Sequence, residues 1–575
     1  MPGLLAVIGC AADSSALDLS FEALGPLVTG HKACGSGFVA RFTTAKFLRD
    51  KVFQDDDDIC VALDGVIFNL EQLKSRYACP DYFQTVKAMY RDLGDTFFRE
   101  FRGEFAGILC DKSTNAWLCF TNPTSSKPLY YYCADKLFIC SSQMDVIAQV
   151  LRRLGRSYSL DVVGAYCLLA YVHMLEDYTL VSEIKKVKPG HYIRYRAGSL
   201  AVDAYKRFGG EPPSSGSPND RIEELDEVFR EAVRLQYAKD RQYGYEHLAT
   251  LSGGLDSRMN LWVACDLGFR GQVALTFSQT GYLDERIARA VAADLGAEFL
   301  FYPLDGGDYL MRVLPDAVRA NGGLVMFAGS AHLLAALTRI DTDRTGLLHT
   351  GMLGDAILGT YLTSPSPAKP RPAMRALNPW LVDRIAGEAE RAASAYDSDE
   401  IFLLYNRGFN GMLNGNWTAG QLTESASPFL DDQFLRCALR VPRALRYRER
   451  LYHEWILRKY PAAAHYVWEK AKARLSDPIW LRWLKKRLWQ AGIVLRWRWD
   501  VSSMNPFHHW YRTNAALRQS VAEYWRKHEH WLDGYPELKK DCAEMFHSRG
   551  PLLRGPLTAK MLVMTLLEAM KLYFG

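Results

Sequence analysis

Between residues 58 and 142 apolar and polar positions change over in short runs. "DICVALDGVIFNL", "FAGILCD", "AWLCFTN" and "KPLYYYCADKLFICSS" are separated by turn residues, the pattern of short strands. They predict a mostly β domain with a few helices. Beyond "GGEPPSSGSPND", residues 209–220, the period lengthens. "RIEELDEVFREAVRLQ" predicts a helix, "HLATL", "QVALTFS" and "EFLFYPL" predict strands, and "SRMNLWVACDLG" and "LDERIARAVAADLG" predict helices between them. In the last of these Ile287, Val291 and Leu295 share one face. Alternation of strand and helix predicts an α/β unit with a doubly wound parallel sheet, its ligands at the carboxyl ends of the strands.

The 575 residues exceed what one core holds, so the chain divides into residues 1–208, a Gly/Pro/Ser-rich linker at 209–220, and residues 221–575. "TSPSPAKPRPAM", from Thr363 to Met374, is a second break and is expected to be a mobile loop. There is no internal repeat. An apolar share of 49% and a charged share of 23% belong to a globular protein. No apolar run approaches the roughly 20 residues of a membrane span, so no integral membrane segment is expected. "MPGLLAVIGCAADSS" lacks the basic flank of a signal peptide, which points to the cytoplasm. The twelve cysteines are scattered without a CxxC pair and read as reduced, mostly buried thiols, not a disulfide framework or metal site.

Charge changes the picture at one end. From Arg436 onward there are 27 Lys or Arg against 12 Asp or Glu, a balance of +15, and the rest of the chain carries −10 against a total of +5. A solvated basic face accounts for this, as does an acidic partner. Within that region Ile479 to Asp500 interleaves five Trp with six Arg or Lys. This predicts an amphipathic helix with its tryptophans in the core; the alternative is a surface for a peptide, a partner enzyme or a membrane.

The densest chemistry lies in "HLATLSGGLDSRMN", where a strand gives way to a helix. There unpaired backbone N–H groups and the helix dipole favour an anion, and Gly253 and Gly254 allow close approach. Ser252 and Ser257 add hydroxyls. The carboxylate of Asp256 would repel bare phosphate and makes sense as a ligand of Mg²⁺. The GxxxxGK[ST] loop of kinases and GTPases is absent.

"LSGGLDSR" resembles the pyrophosphate loop of the asparagine synthetase family, whose members transfer AMP from ATP to a carboxylate. "TFSQTGYLDERIARAVAADLGAEF" is similar to the family's second strand and acidic helix, "HTGMLGDAILGTY" to its second Mg²⁺-binding loop, and "TESASPFLDDQFLRCALRVP" to a later motif. "GVIFNLEQLK", "FRGEFAGILCD" and "SSKPLYYY" resemble its glutamine amidotransferase domain. The resemblance implies an Ntn-type αββα amidotransferase-like domain, then a parallel-sheet ATP-pyrophosphatase domain with a helical C-terminal extension. It also implies ATP contacts at Leu251, Ser252, Gly253, Gly254, Leu255, Asp256, Ser257, Thr276, Phe277, Ser278, Gly351 and Met352, and Mg²⁺ on Asp256 and Asp355.

Departures from the family narrow the expectation. Its nucleophilic Cys at position 2 is Pro2 here, and without a thiol no ammonia comes from glutamine. The oxyanion Asn-Gly pair appears as Asp64-Gly65, and an Arg-Asp pair appears as Thr121-Asn122. Cys10 as a substitute nucleophile competes with its reading as a buried strand thiol. On the synthetase side an acidic residue of the family falls at Met352. Glu424 matches a family Glu and stands as candidate base or as a buried structural ion pair. Lys472 matches the catalytic lysine, with Lys470 as rival. Superfamily members that have lost the ammonia source close rings, as β-lactam synthetases and lasso peptide cyclases do. The resemblance is greater to the cyclases, which implies a leader-cleaved precursor peptide as substrate and, as partners, a leader peptidase or peptide-recognition protein of the same pathway. An asparagine synthetase-like enzyme using ammonia or another amine is the alternative. Nucleic acid is not an expected partner.

Overall fold

The computed structural model describes residues 2–9, 19–21, 23–213, 215–495, 497, 499–548 and 555–575. Cys10, Arg496 and Arg498 therefore lie outside the described residues.

Two six-stranded sheets form the N-terminal half. In one, Gly3–Ile8 runs antiparallel between Gly37–Thr44 and Leu137–Ser141; in the other, Ile59–Ile67 pairs with Gly103–Asp111. Leu4, Ala6, Cys60, Ile108 and Trp117 fill the space between the sheets. Leu5 and Val7 face the opposite way, onto a core shared with the helices Met144–Arg153 and Val162–Tyr171. On the far side Leu63 and Phe120 meet Val86 of the helix Tyr82–Leu93. The order is thus αββα. Central strands are covered on both faces, so all nine residues of Ile59–Ile67 are buried and their sequence is a continuous apolar run.

The helix Pro218–Tyr243 starts inside the stretch read as linker. Ser217 and Asp220 form a capping box around Pro218, and Gly244 closes the helix at φ 76°. It leads into a five-stranded parallel sheet in the order Glu298–Pro303, Gln272–Ser278, Glu246–Thr250, Thr345–His349, Ser425–Ala426. Helices cover both faces: Leu261 and Val291 pack on one, Leu333 and Ala419 on the other. The chain moves outward from Glu246–Thr250 in one direction and later returns to its other side. A crevice therefore opens between the carboxyl ends of Glu246–Thr250 and Thr345–His349.

The C-terminal extension is helical and joins the halves. Leu562, Leu566 and Met570 of the helix Gly555–Phe574 are buried. At its end Arg152 and Tyr158 donate to the Tyr573 carbonyl, and the Tyr573 hydroxyl donates to the Gly322 carbonyl at 3.0 Å. Residues 363–371 lack regular structure, but the Ala368 carbonyl accepts from the Asp399 amide and Arg375 pairs with Asp399. No cysteine among the described residues forms a disulfide. Among them, no helix is long and apolar enough to cross a membrane.

The helix Ile479–Val494 corrects the expectation of core tryptophans. Trp480 and Trp483 are 66% and 59% exposed, and Gly492 is the helix's one buried residue. Its contacts with the rest of the protein include Lys485 with Asp477 and the Trp489 ring under Lys472.

Candidate functional site

The crevice holds a cavity of about 520 Å³ whose walls include the Ser252–Ser257 turn, Phe277, Gly351, Met352 and Asp355. Its floor is a short strand-to-helix turn. Gly254 caps the helix Leu255–Asp266, whose N-terminus faces the cavity. The Ser252 amide donates to Ser257 Oγ, and the Gly254 amide donates to Ser252 Oγ, both at 3.1 Å. Gly253 backs the turn: its amide donates to Asp284 Oδ1 at 2.8 Å, and a Cβ there would lie 2.8 Å from that of Glu469.

The second loop folds onto the first. The Asp355 amide donates to Asp256 Oδ2 at 3.0 Å, and the Tyr452 hydroxyl donates to Oδ1 at 2.7 Å. A Cβ on Gly351 would stand 2.4 Å from the Ser257 nitrogen, so this approach needs glycine. Burial, then the neighbouring Asp355 carboxylate, pushes the Asp256 carboxyl well above its ordinary range. Two carboxylates lining one cavity fit a hard divalent cation bound through oxygen.

Each of the two lysines lies at a different edge. Lys470 donates to Glu449 Oε1 at 2.5 Å and to Asp355 Oδ2 at 3.3 Å. Lys472 donates to Glu469 Oε1 at 2.5 Å and to the Tyr282 hydroxyl at 3.2 Å. The hairpin that carries both is tied to the turn by the Glu469 amide, which donates to the Gly253 carbonyl. Burial and Glu469 raise the Asp284 carboxyl to about 6, against the Gly253 amide and Lys472.

Below the loops, Asp240 braces the strands that carry them. Its Oδ2 lies 2.8 Å from His247 Nδ1 and 2.7 Å from His349 Nε2. Burial opposes its ionisation, but His349 and His247 outweigh that and hold the carboxyl below its usual range. These three buried groups are close enough to hold a metal, yet the O···N spacings are those of hydrogen bonds, and the triad is read as a brace.

Not every residue named from the sequence meets the cavity. Leu251, Ser252, Gly254, Asp256, Ser257, Phe277, Gly351, Met352 and Asp355 line it. Gly253, Leu255, Thr276 and Ser278 support it from behind: Leu255 is buried in the core, Thr276 Oγ donates to the Leu251 carbonyl at 2.7 Å, and Ser278 Oγ to the Gln279 carbonyl. Glu424, read from the sequence as candidate base or buried ion pair, stands apart from the cavity wall. Its side chain is 2% exposed, and Lys51 and Lys127 of the N-terminal domain each pair with one of its oxygens at 2.7 Å. These contacts are those of the buried ion pair.

Asp284, Glu469, Asn416 and His332 line the cavity and were not named. Asp284 stood in the acidic helix motif and Glu469 directly before Lys470; neither Asn416 nor His332 has a local signal. Both amide atoms of Asn416 are buried without a hydrogen-bond partner, which leaves them for a ligand.

The corner that corresponds to the family's glutaminase has been rebuilt. Pro2 is buried, and Asp64 pairs with Lys127 at 2.9 Å and accepts from Thr43 Oγ at 2.5 Å. Asn122 donates to Glu104 at 3.0 Å.

Residues 49–206 match the model of a glutamine amidotransferase domain family, and residues 224–407 that of asparagine synthase. A glutamine-hydrolyzing asparagine synthetase of Asparagus officinalis is 23% identical over 521 residues, covering 84% of this chain and 78% of the relative. That of Sandersonia aurantiaca is 24% identical over 394 residues, 63% of this chain and 67% of the relative. Glutamine-hydrolyzing asparagine synthetase 2 of Lotus japonicus is 23% identical over 532 residues, 84% and 79%.

Proposed function

The chain belongs to the asparagine synthetase family and is an ATP-dependent ligase of that type, and from that premise we propose that it activates a side-chain carboxylate of a leader-cleaved peptide and closes a macrolactam with the peptide's N-terminal amine, as lasso peptide cyclases do. The observation that supports this reading is a contrast: an intact nucleotide crevice beside a glutaminase corner that holds Pro2 and an ion-paired Asp64.

In the first step a carboxylate oxygen attacks the α-phosphorus of ATP, the α–β anhydride bond breaks, and pyrophosphate leaves. The turn at Ser252–Ser257 supplies backbone N–H groups and hydroxyls to the phosphates. Mg²⁺ on Asp256 and Asp355, when bound, offsets the phosphate charge. Lys470 pairs with Asp355 and Lys472 with Glu469, two carboxylates of the cavity wall, and we assign to Lys472 the charge that builds on the transferred group. In the second step the amine nitrogen attacks the acyl carbon, AMP leaves, and the nitrogen releases one proton to solvent. Holding amine and acyl group in one molecule supplies proximity that free ammonia lacks.

The test is mass spectrometry of N-terminally free acidic peptides incubated with the protein, ATP and Mg²⁺. Loss of one water, matched by pyrophosphate and AMP, is expected, with no glutamate released from glutamine. Asp256→Ala should abolish carboxylate-dependent ATP–pyrophosphate exchange. The names of the relatives favour a second reading, asparagine synthesis from ammonia or another amine. Asparagine formed from aspartate and ammonia, with no cyclic peptide, would establish that reading and refute ours.

A further inference from the structure

A second chamber of about 470 Å³ adjoins the nucleotide cavity, and the two share Gly329, Met412 and Asn414 in their walls. Both domains build it. Tyr171 and His173 come from the end of the helix Val162–Tyr171, Met326 from the sheet domain, and Arg407 and Met412 from the wide, π-helical turn Leu404–Met412. Such turns recur at functional sites.

Arg375 pairs with Asp399 and Asn414 donates to Ser330, but three other polar groups of the chamber walls keep capacity to spare. The guanidinium of Arg407 faces the Tyr361 ring at 5.9 Å and has no ion pair among the described residues. The hydroxyl of Tyr171 is buried without a hydrogen-bond partner, and the residue is 4% exposed. His173 donates from Nδ1 to the Met174 carbonyl at 3.0 Å, so Nε2 carries the bare lone pair. Val172, β-branched, sits on the same wall at φ 73°, a conformation such residues rarely adopt unless the surroundings impose it.

At about 470 Å³ the space lies within the range of ligand clefts. That exceeds a free amino acid and suits several peptide residues. We infer that this chamber is the peptide-binding subsite: its methionines and Tyr171 receive a substrate segment, Arg407 pairs with a carboxylate of the peptide that is not activated, and the reacting carboxylate reaches the nucleotide through the neck at Gly329, Met412 and Asn414. The inference rests on the peptide-ligase reading above. Arg407 is thereby a specificity-determining residue for anionic peptides.

The experiment is affinity selection on the full-length protein. A randomised pool of N-terminally free hexapeptides whose members range from no Asp or Glu to several is passed over wild type, Arg407→Ala and Arg407→Lys, with free aspartate as competitor and ATP retention measured in parallel. Wild type is expected to enrich acidic peptides. Arg407→Ala should lose that enrichment about tenfold or more, Arg407→Lys should keep part of it, and ATP retention should not change. Equal enrichment by wild type and Arg407→Ala, no enrichment by wild type, or displacement of the peptides by an equal concentration of aspartate would overturn the assignment. Selected peptides that bind through Arg407 but support no ATP–pyrophosphate exchange would instead overturn the ligase reading and leave the subsite standing.

Discussion

Glu104 shows how far burial moves one group. It is 5% exposed, and burial holds its carboxyl up to about 8, against hydrogen bonds from Ser126 and Asn122 and against Lys127, with Asp431 adding to the rise. An unfolded Glu titrates near ~4.3. The folded state therefore binds the extra proton between those values, and its contribution is complete below about pH 4 and lost as pH rises through about 8. Glu104→Gln should flatten the fall of Tm between about pH 4.5 and 8; an unchanged slope in thermal scans at stepped pH would refute this. Glu424 poses the opposite problem. Glu424→Gln removes one of the two carboxylates that Lys51 and Lys127 share and leaves Asp64 beside both, and breaking a buried pair costs about 3–5 kcal/mol. Urea unfolding should show that loss while ring closure per folded molecule persists. Lost ring closure with exchange and stability retained would return Glu424 to the chemistry.

Two tryptophan environments separate packing from surface. Trp480 and Trp483 lie exposed on Ile479–Val494, with Leu488 beside them at 64% exposure, whereas Trp510 is 1% exposed and donates to Gln279 Oε1 at 2.6 Å. Replacing both Trp480 and Trp483 by Ser should leave unfolding free energy within about 0.5 kcal/mol. Trp510→Ala should cost about 3–5 kcal/mol. Equal losses, measured by urea titration, would mean that the exposed helix is packed.

Both halves should unfold together. Glu424 lies between Lys51 and Lys127, Arg102 pairs with Asp431 at 2.8 Å, and the C-terminal helix is bonded through Tyr573 to Arg152, Tyr158 and Gly322. Calorimetry of the full chain is expected to show one transition, because these contacts are buried and shared. Removing residues 555–575 should lower it as a whole. Two resolved transitions in the intact chain would mean that the interface contributes little.

Local pattern made much of this legible. Strand and helix periods and the glycine-rich turn at Ser252–Ser257 depend on neighbours a few positions apart, so the sequence alone placed the parallel sheet and its loops, while the Ser217–Asp220 cap lay inside the stretch read as linker. The loss of a thiol at Pro2 was equally plain. What the sequence left open were questions of distance. Whether Glu424 meets an amine or two lysines, which carboxylate each of Lys470 and Lys472 faces, and whether the Trp480 helix points inward depend on groups brought together from remote parts of the chain. Asn416, Tyr171 and Arg407 carry no motif at all; their unspent polar groups become visible only once the cavity walls close around them. A motif records which chemistry a short segment can offer, and only packing decides which side chains are already satisfied and which remain free for a ligand.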